Sequence, residues 1–450
     1  MTRADLRERL RSRRVQAILA AVVVLVAAGI ALAVTRSGSN ITTRAQFVTG
    51  TPENGKPVRL DTTLYLPEHT PAPAVLLAQG FGGDKSGLDG TARILAEHGY
   101  VVLAYTARGF GRSGGLIHFD SPRYEVRDAE RLVTYLTEQP QVEADKIAVA
   151  GSSYGGGLAL LLAGSDKRIK AVGADITWNN LAHALFPNAA SSDLGVFKKL
   201  WAGELFGNAF PTGLEGFGGS TNCGRFAPDV CAAYQYAART GHPNGEMRRL
   251  MRAASPATVL DRITAPTLLT QGEQDSLFPL SEADANARGI AANGTPVRVV
   301  WRPGGHDDPS AGASVVTDEL LNWFGAAFDG KIGRSQPFQY ARLGASVSSQ
   351  TGQIRAQTML ADGYPGIDGA PRRSSEVRLD GSAQHITAPA GGTPATVTAV
   401  PGLGGILGQL GGLGAAAGGV SIPTAFGQTA YFTSARLTHP VTSEICVESR

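Results

Sequence analysis

Ile147-Ala148-Val149-Ala150-Gly151-Ser152-Ser153-Tyr154-Gly155-Gly156 joins a short apolar run to a glycine-rich turn. The run has the composition of a strand covered on both faces. The turn carries Ser153 at its tip, between glycines that remove the Cβ atoms a sharp strand-to-helix bend cannot hold. An alcohol attacks a carbonyl poorly unless it is exposed and beside a base, and such a turn exposes it. Gly-X-Ser-X-Gly alone is a weak signal in a chain with 57 glycines. Its weight comes from what surrounds it.

Upstream, residues 58–66 alternate like an early strand, and 74–78 and 100–105 are continuous apolar runs separated by a helical stretch ending at His98-Gly99. Pro122 is expected to open a helix through Leu136, with Val126, Ala129, Leu132, Val133 and Leu136 three and four apart. A helix over 156–163 leaves the serine turn, and 169–176 is the next strand. Downstream, strands at 266–270 and 297–301 flank a helix over 281–292, and 313–328 close as an amphipathic helix. Strands too apolar to alternate, interleaved with helices, predict a mostly parallel sheet covered on both faces. Residues 179–256 break the rhythm with Phe186, Phe197, Trp201, Phe206, Phe210 and Phe217 among glycines. A segment so long between strands predicts a helical cap over the end of the sheet where the serine lies. From 334 the chain is expected to become a separate β-rich region, with strands at 338–343, 376–379, 395–400 and 431–437 and a Gly/Leu/Ala surface loop at 401–419. Those strands read as too few to close a sandwich.

The chain has 450 residues, 43% hydrophobic and 18% charged, as for a globular protein with a sizeable core. Its net charge of +3 is largely local: Arg3, Arg7, Arg9, Arg11, Arg13 and Arg14 precede the first apolar run. That leaves no basic face for nucleic acid. Residues 15–34 are apolar except for Gln16, and as a helix they span about 30 Å, the thickness of a bilayer core. The arginines before them orient the N-terminus to the cytoplasm and the rest outside. The segment reads either as a single-pass transmembrane signal anchor in the cell membrane or as a signal peptide cut after Ala31-Leu32-Ala33, which would leave a secreted protein. Residues 35–50 read as a polar linker. In an oxidising space Cys223 and Cys231 would form a disulfide, the alternative being two buried thiols, and Cys446 is left over. No Cys/His spacing resembles a zinc site, and the chemistry expected of the chain needs no metal or organic cofactor.

That chemistry is set by three positions. Asp275 lies in the loop Gln271-Gly272-Glu273-Gln274-Asp275 past one strand end, with Glu273 as its rival. His306 lies in Pro303-Gly304-Gly305-His306 past the next. With Ser153 as nucleophile, the chain order Ser, Asp, His is that of the α/β-hydrolase fold. Imidazole takes up a proton near neutral pH, so His306 would act as base, and Asp275 would fix its tautomer. Oxyanion donors are expected at the Tyr154 amide and in the loop Gly80-Phe81-Gly82, with the Phe81 amide first and Gly82 next. Trp178, Phe186, Trp201 and Phe206 are expected to line an apolar pocket under the cap. A non-catalytic, membrane-anchored binding protein on the same scaffold is the competing reading.

Gly-Ser-Ser-Tyr-Gly-Gly at 151–156, the Arg-Gly-X-Gly-X-Ser loop at 108–113, Trp178, the Asp275 loop and Gly-Gly-His at 304–306 resemble the cocaine-esterase and X-prolyl dipeptidyl-peptidase family of α/β-hydrolases. The resemblance covers about 58–330 and, more loosely, the β-rich tail, where that family carries a jelly roll that in this chain looks incomplete. It implies hydrolysis of a small ester or peptide through an acyl-enzyme under a helical cap. Two departures stand out. Thr106 replaces an acidic residue often found before the Arg-Gly loop, and Phe81 has no hydroxyl where cocaine esterases use a tyrosine, so a backbone donor must serve. An X-prolyl peptidase would also need an acidic residue in the cap to hold the substrate amine, for which Glu204 and Glu215 are the candidates.

Overall fold

The computed structural model describes residues 41–188, 193–207, 223–306, 308, 312–347, 354–368, 378–385 and 432–436. The chain divides after Thr42, and the second unit holds the sheet with its helices. Residues 15–34, Glu215, Phe210, Phe217, Cys446 and the expected segments at 395–400 and 401–419 lie outside the described residues. Among the described residues no helix is long and apolar enough to cross a membrane.

Among the described residues ten strands form one sheet: β1 (Thr42–Thr49), β2 (Arg59–Leu66), β3 (Ala72–Ala78), β4 (Val101–Tyr105), β5 (Val142–Ser152), β6 (Ile169–Asp175), β7 (Thr267–Gly272), β8 (Val297–Arg302), β9 (Phe338–Val347) and β10 (Ile354–Ala361). Their spatial order is β1-β2-β4-β3-β5-β6-β7-β8-β9-β10. β2 runs antiparallel to β4, and β4 through β9 are all parallel. β10 turns back antiparallel on β9. The central strands read as continuous apolar runs because both faces are covered. α1 (Asp89–Glu97), α2 (Glu125–Thr137) and α3 (Tyr154–Ser165) follow successive strands. Between β6 and β7 come α4 (Leu181–Leu185), α5 (Lys199–Gly207), α6 (Pro228–Thr240) and α7 (Gly245–Ala253), and then α8 (Leu280–Ala291) and α9 (Ala313–Phe328) complete the layers. α1 packs with α9, and α2 with α3. Val126, Ala129, Leu132, Val133 and Leu136 of α2 are all buried, as their spacing predicts.

Three expectations are corrected. Residues 42–49 are not linker but an edge strand; Thr42, Thr43, Arg44 and Ala45 are exposed, so no alternation betrays it. The helix expected from Pro122 starts at Glu125, because residues 122–124 form a turn and the Glu125 carboxylate reaches back to accept from the Ser121 and His118 amides at 2.9 and 2.7 Å. The sheet does not stop before 334: β9 joins β8 and extends the same sheet, with Phe338 buried against Trp301 and Tyr364. The later strands are reduced, among the described residues, to Leu379–Asp380 paired with Thr433–Ser434.

Candidate active site

β5 delivers Ser153 to the carboxyl edge of the sheet. Its backbone takes φ 55°, ψ −115°, a conformation rare for a side-chain-bearing residue and typical of a strained functional turn. The strain is held by neighbours: the Ser153 amide donates to the Asp175 carbonyl at 2.8 Å, and its carbonyl accepts from the Gly156 and Gly157 amides and the Thr177 hydroxyl. α3 can start directly behind the serine only because Gly155 lies against β3. A Cβ there would sit 2.3 Å from the Ala78 carbonyl oxygen.

Asp275 is carried past the end of β7 and buried. Its Oδ1 accepts from the Leu277 and Phe278 amides at 3.0 and 2.8 Å, which fixes the carboxylate. Its Oδ2 accepts from the His306 amide at 3.2 Å and lies 2.7 Å from His306 Nδ1. On the other side of the ring, Nε2 stands 2.7 Å from Ser153 Oγ. Gly305 makes the approach possible: its φ is +149° and a Cβ on it would meet Asp275 Cβ at 2.6 Å. The imidazole is also boxed by rings, edge-on to Phe278 at 5.1 Å and to Trp201 at 6.0 Å. So Ser153, Asp275 and His306 meet, with hydrogen-bond geometry on both sides of the imidazole. Glu273, the rival acid, instead accepts from the Ala341 amide of β9 at 2.7 Å.

The loop after β3 lies beside the serine. Gly80 to Gly83 form a tight turn, closed by the Gly83 amide on the Gly80 carbonyl, with Gly82 at φ +79°. The Phe81 ring is locked in an aromatic group, edge-on to Phe110 and Tyr154 and stacked with Phe119 and Phe226. The Phe81 amide has no acceptor among the described residues, and the first turn of α3 leaves the Tyr154 amide without an intrahelical partner. The Tyr154 hydroxyl accepts from the Asp120 amide at 3.1 Å. Burial pushes both the Tyr154 hydroxyl and the Asp120 carboxyl well up, which disfavours negative charge on either group.

An apolar cavity of about 60 Å³ opens from Ser153 under the cap. Trp178 and Phe206 line it as expected. Phe186 does not: it is fully buried behind Phe197, stacked on it at 4.6 Å, and Phe197 forms the wall. Trp201 does not line it either, because its indole Nε1 donates to Ser276 Oγ and holds the ring beside His306. Phe119, Phe226, Phe278, Met247 and Met251 also line it and are not among the residues expected from sequence. Phe278 alone carries a signal, three residues after Asp275. Glu204 is not among the lining residues. Cys223 and Cys231 are joined by a disulfide at the start of α6, with Cα atoms 5.5 Å apart.

Two buried ion pairs brace the site from behind, and sequence reasoning misses both. Arg302 makes two 3.1 Å contacts to Asp175, whose carboxylate also accepts from Ser152 Oγ and Thr270 Oγ1. This ties β6, β7 and β8 to the serine turn. Arg108 of the Arg-Gly loop is fully buried and forks onto Asp128 at 2.7 and 2.8 Å. Burial opposes its charge, but Asp128 outweighs that and raises its pKa.

A family model described as X-Pro dipeptidyl-peptidase (S15 family) matches residues 54–308, more than half of the chain. An uncharacterised protein of Pseudomonas aeruginosa is 34% identical over 120 residues, 26% of this chain and 32% of that protein. Dipeptidyl aminopeptidase BIII of Pseudoxanthomonas mexicana is 26% identical over 317 residues, 66% of this chain and 38% of that protein. The matches therefore span about a third to two fifths of the length of these curated relatives. Among solved structures, the acylaminoacyl peptidase of Pyrococcus horikoshii aligns at 16% identity with a TM-score of 0.46, covering 67% of this chain and 44% of its own.

Proposed function

The chain belongs to the X-Pro dipeptidyl-peptidase (S15) family, and from that premise we propose that it is a serine hydrolase cleaving an ester or amide bond through an acyl-enzyme. Ser153 Oγ attacks the carbonyl while His306 Nε2 takes its proton. Asp275 holds the imidazole through Nδ1–H and stabilises the imidazolium. The Tyr154 and Phe81 amides face the developing oxyanion, and each such donor is worth roughly 3–4 kcal/mol in the transition state. His306 then returns the proton to the leaving group, and water repeats the sequence to free the acid. The observation that carries this reading is the pair of 2.7 Å contacts on opposite sides of one imidazole.

The test is turnover of p-nitrophenyl acetate. Wild type should release a burst of p-nitrophenol equal to the enzyme present, as an accumulating acyl-enzyme requires. Ser153→Ala should lose the burst and at least about 1,000-fold in kcat. Equal turnover by both proteins would end the proposal.

An extracytoplasmic setting belongs to the same reading. The apolar residues 15–34 behind their arginines and the Cys223–Cys231 disulfide support it. Protease added to intact cells should degrade the catalytic part; full protection would argue against it.

A further inference from the structure

The cavity that opens from Ser153 has no charged side chain among the described residues of its wall. Phe226 and Phe206 contribute to that wall, as do Val230, Leu250 and Met251 of α6 and α7. A substrate ammonium entering it would trade its water for aromatic faces and hydroxyls with no carboxylate beside it among the described residues, which is costly in an apolar site. A hydrocarbon chain would lose only unfavourable contact with water.

The cavity also has a direction. The leaving group must sit against His306 Nε2 to receive its proton. Neither His306 nor its neighbour Trp201 is part of the cavity wall, whereas Ser153, Tyr154 and Phe81 are. Phe278 of the wall touches His306 edge-on, while Ser153, Tyr154 and Phe81 place the cavity against the oxyanion side of the serine.

We infer that this cavity is the acyl site, and that it selects esters of apolar, uncharged acyl chains rather than acyl groups bearing a free amine. The inference rests on Ser153 being the nucleophile, as proposed above. In the chemical step, Ser153 Oγ bonds to the acyl carbon, the carbon–oxygen bond to the alcohol breaks, and the Ser153 proton passes through His306 to that alcohol.

The experiment is a series of p-nitrophenyl acetate, butyrate, hexanoate and decanoate on the full chain, beside Ala-Pro-p-nitroanilide with its amine free or acetylated. kcat/KM should rise about three- to fivefold per methylene from acetate to hexanoate. The free amine should give no advantage over the acetylated one. Val230→Phe, or Leu250→Phe in the same cavity wall, should shift the optimum to a shorter chain. A flat series, a preference for acetate, or a tenfold gain from the free amine would overturn the inference while a p-nitrophenol burst still upheld the hydrolase. No release of p-nitrophenol above background with any ester would overturn both.

Discussion

At the scale of single residues, the site depends on orientation more than on the identity of its groups. Asp275 is saturated by the Leu277, Phe278 and His306 amides and the His306 ring. Asp275→Asn keeps the shape but presents an N–H donor where Nδ1–H needs an acceptor. We expect kcat to fall about 1,000- to 10,000-fold with KM little changed, measured by steady-state ester hydrolysis. Gly305→Ala acts through geometry alone. The added methyl would meet Asp275 and push the His306 loop off Ser153. A shift of about 1 Å costs about 100-fold in kcat, and the circular dichroism spectrum should be unchanged. The three reacting side chains are legible in the sequence because each stands just past a strand end. The pocket is harder to read. Phe186 and Phe197 carry the same chemistry 11 positions apart; which one faces the cavity is decided by how the cap packs, a tertiary fact with no local trace.

At the scale of elements, the turns at the carboxyl edge are held by ionic anchors beneath them. In the sequence the Arg-Gly loop is only a marker of resemblance, yet Arg108 lies in the core, tying that loop to α2 through Asp128 and to the Thr51 carbonyl. Spacing does not reveal this, since 20 residues separate the partners. Asp128→Ala leaves a buried guanidinium without its main counter-charge, and should cost roughly 3–5 kcal/mol, read as a lowered denaturation midpoint. The hydrophobic isostere pair Arg108→Met with Asp128→Leu should recover much of that loss. β1 and β9 escape the sequence for opposite reasons. β1 is an edge strand whose polar side chains hide its pairing, and β9 is a good strand whose partner has no signature in the sequence.

At the scale of the whole molecule, the parallel character of β3 to β8 is legible because each strand is an apolar run followed by a helix, whereas their spatial order, β4-β3-β5-β6-β7-β8, comes from the structure. The continuation through β9 and β10 is not, because the change in composition after 334 looks like a domain boundary. Burial inside this fold also gives stability a pH dependence. Desolvation raises the Glu125 carboxyl from 4.5 to about 8, with backbone donors only partly opposing it. Glu125 thus takes up a proton on folding. Its contribution is most favourable below pH 4.5 and is lost as pH rises through about 8. Asp120 is pushed in the same direction. Urea denaturation from pH 5 to pH 8 should show wild type losing stability relative to Glu125→Gln, and equal slopes would contradict the assignment.

The most direct test of the catalytic assignment is covalent. Wild-type protein treated with a fluorophosphonate should gain one phosphonyl group, located by peptide mass spectrometry on Ser153, at a rate that drops sharply in His306→Ala. Protein that stays unlabelled, or a label that maps elsewhere and persists in Ser153→Ala, would contradict it.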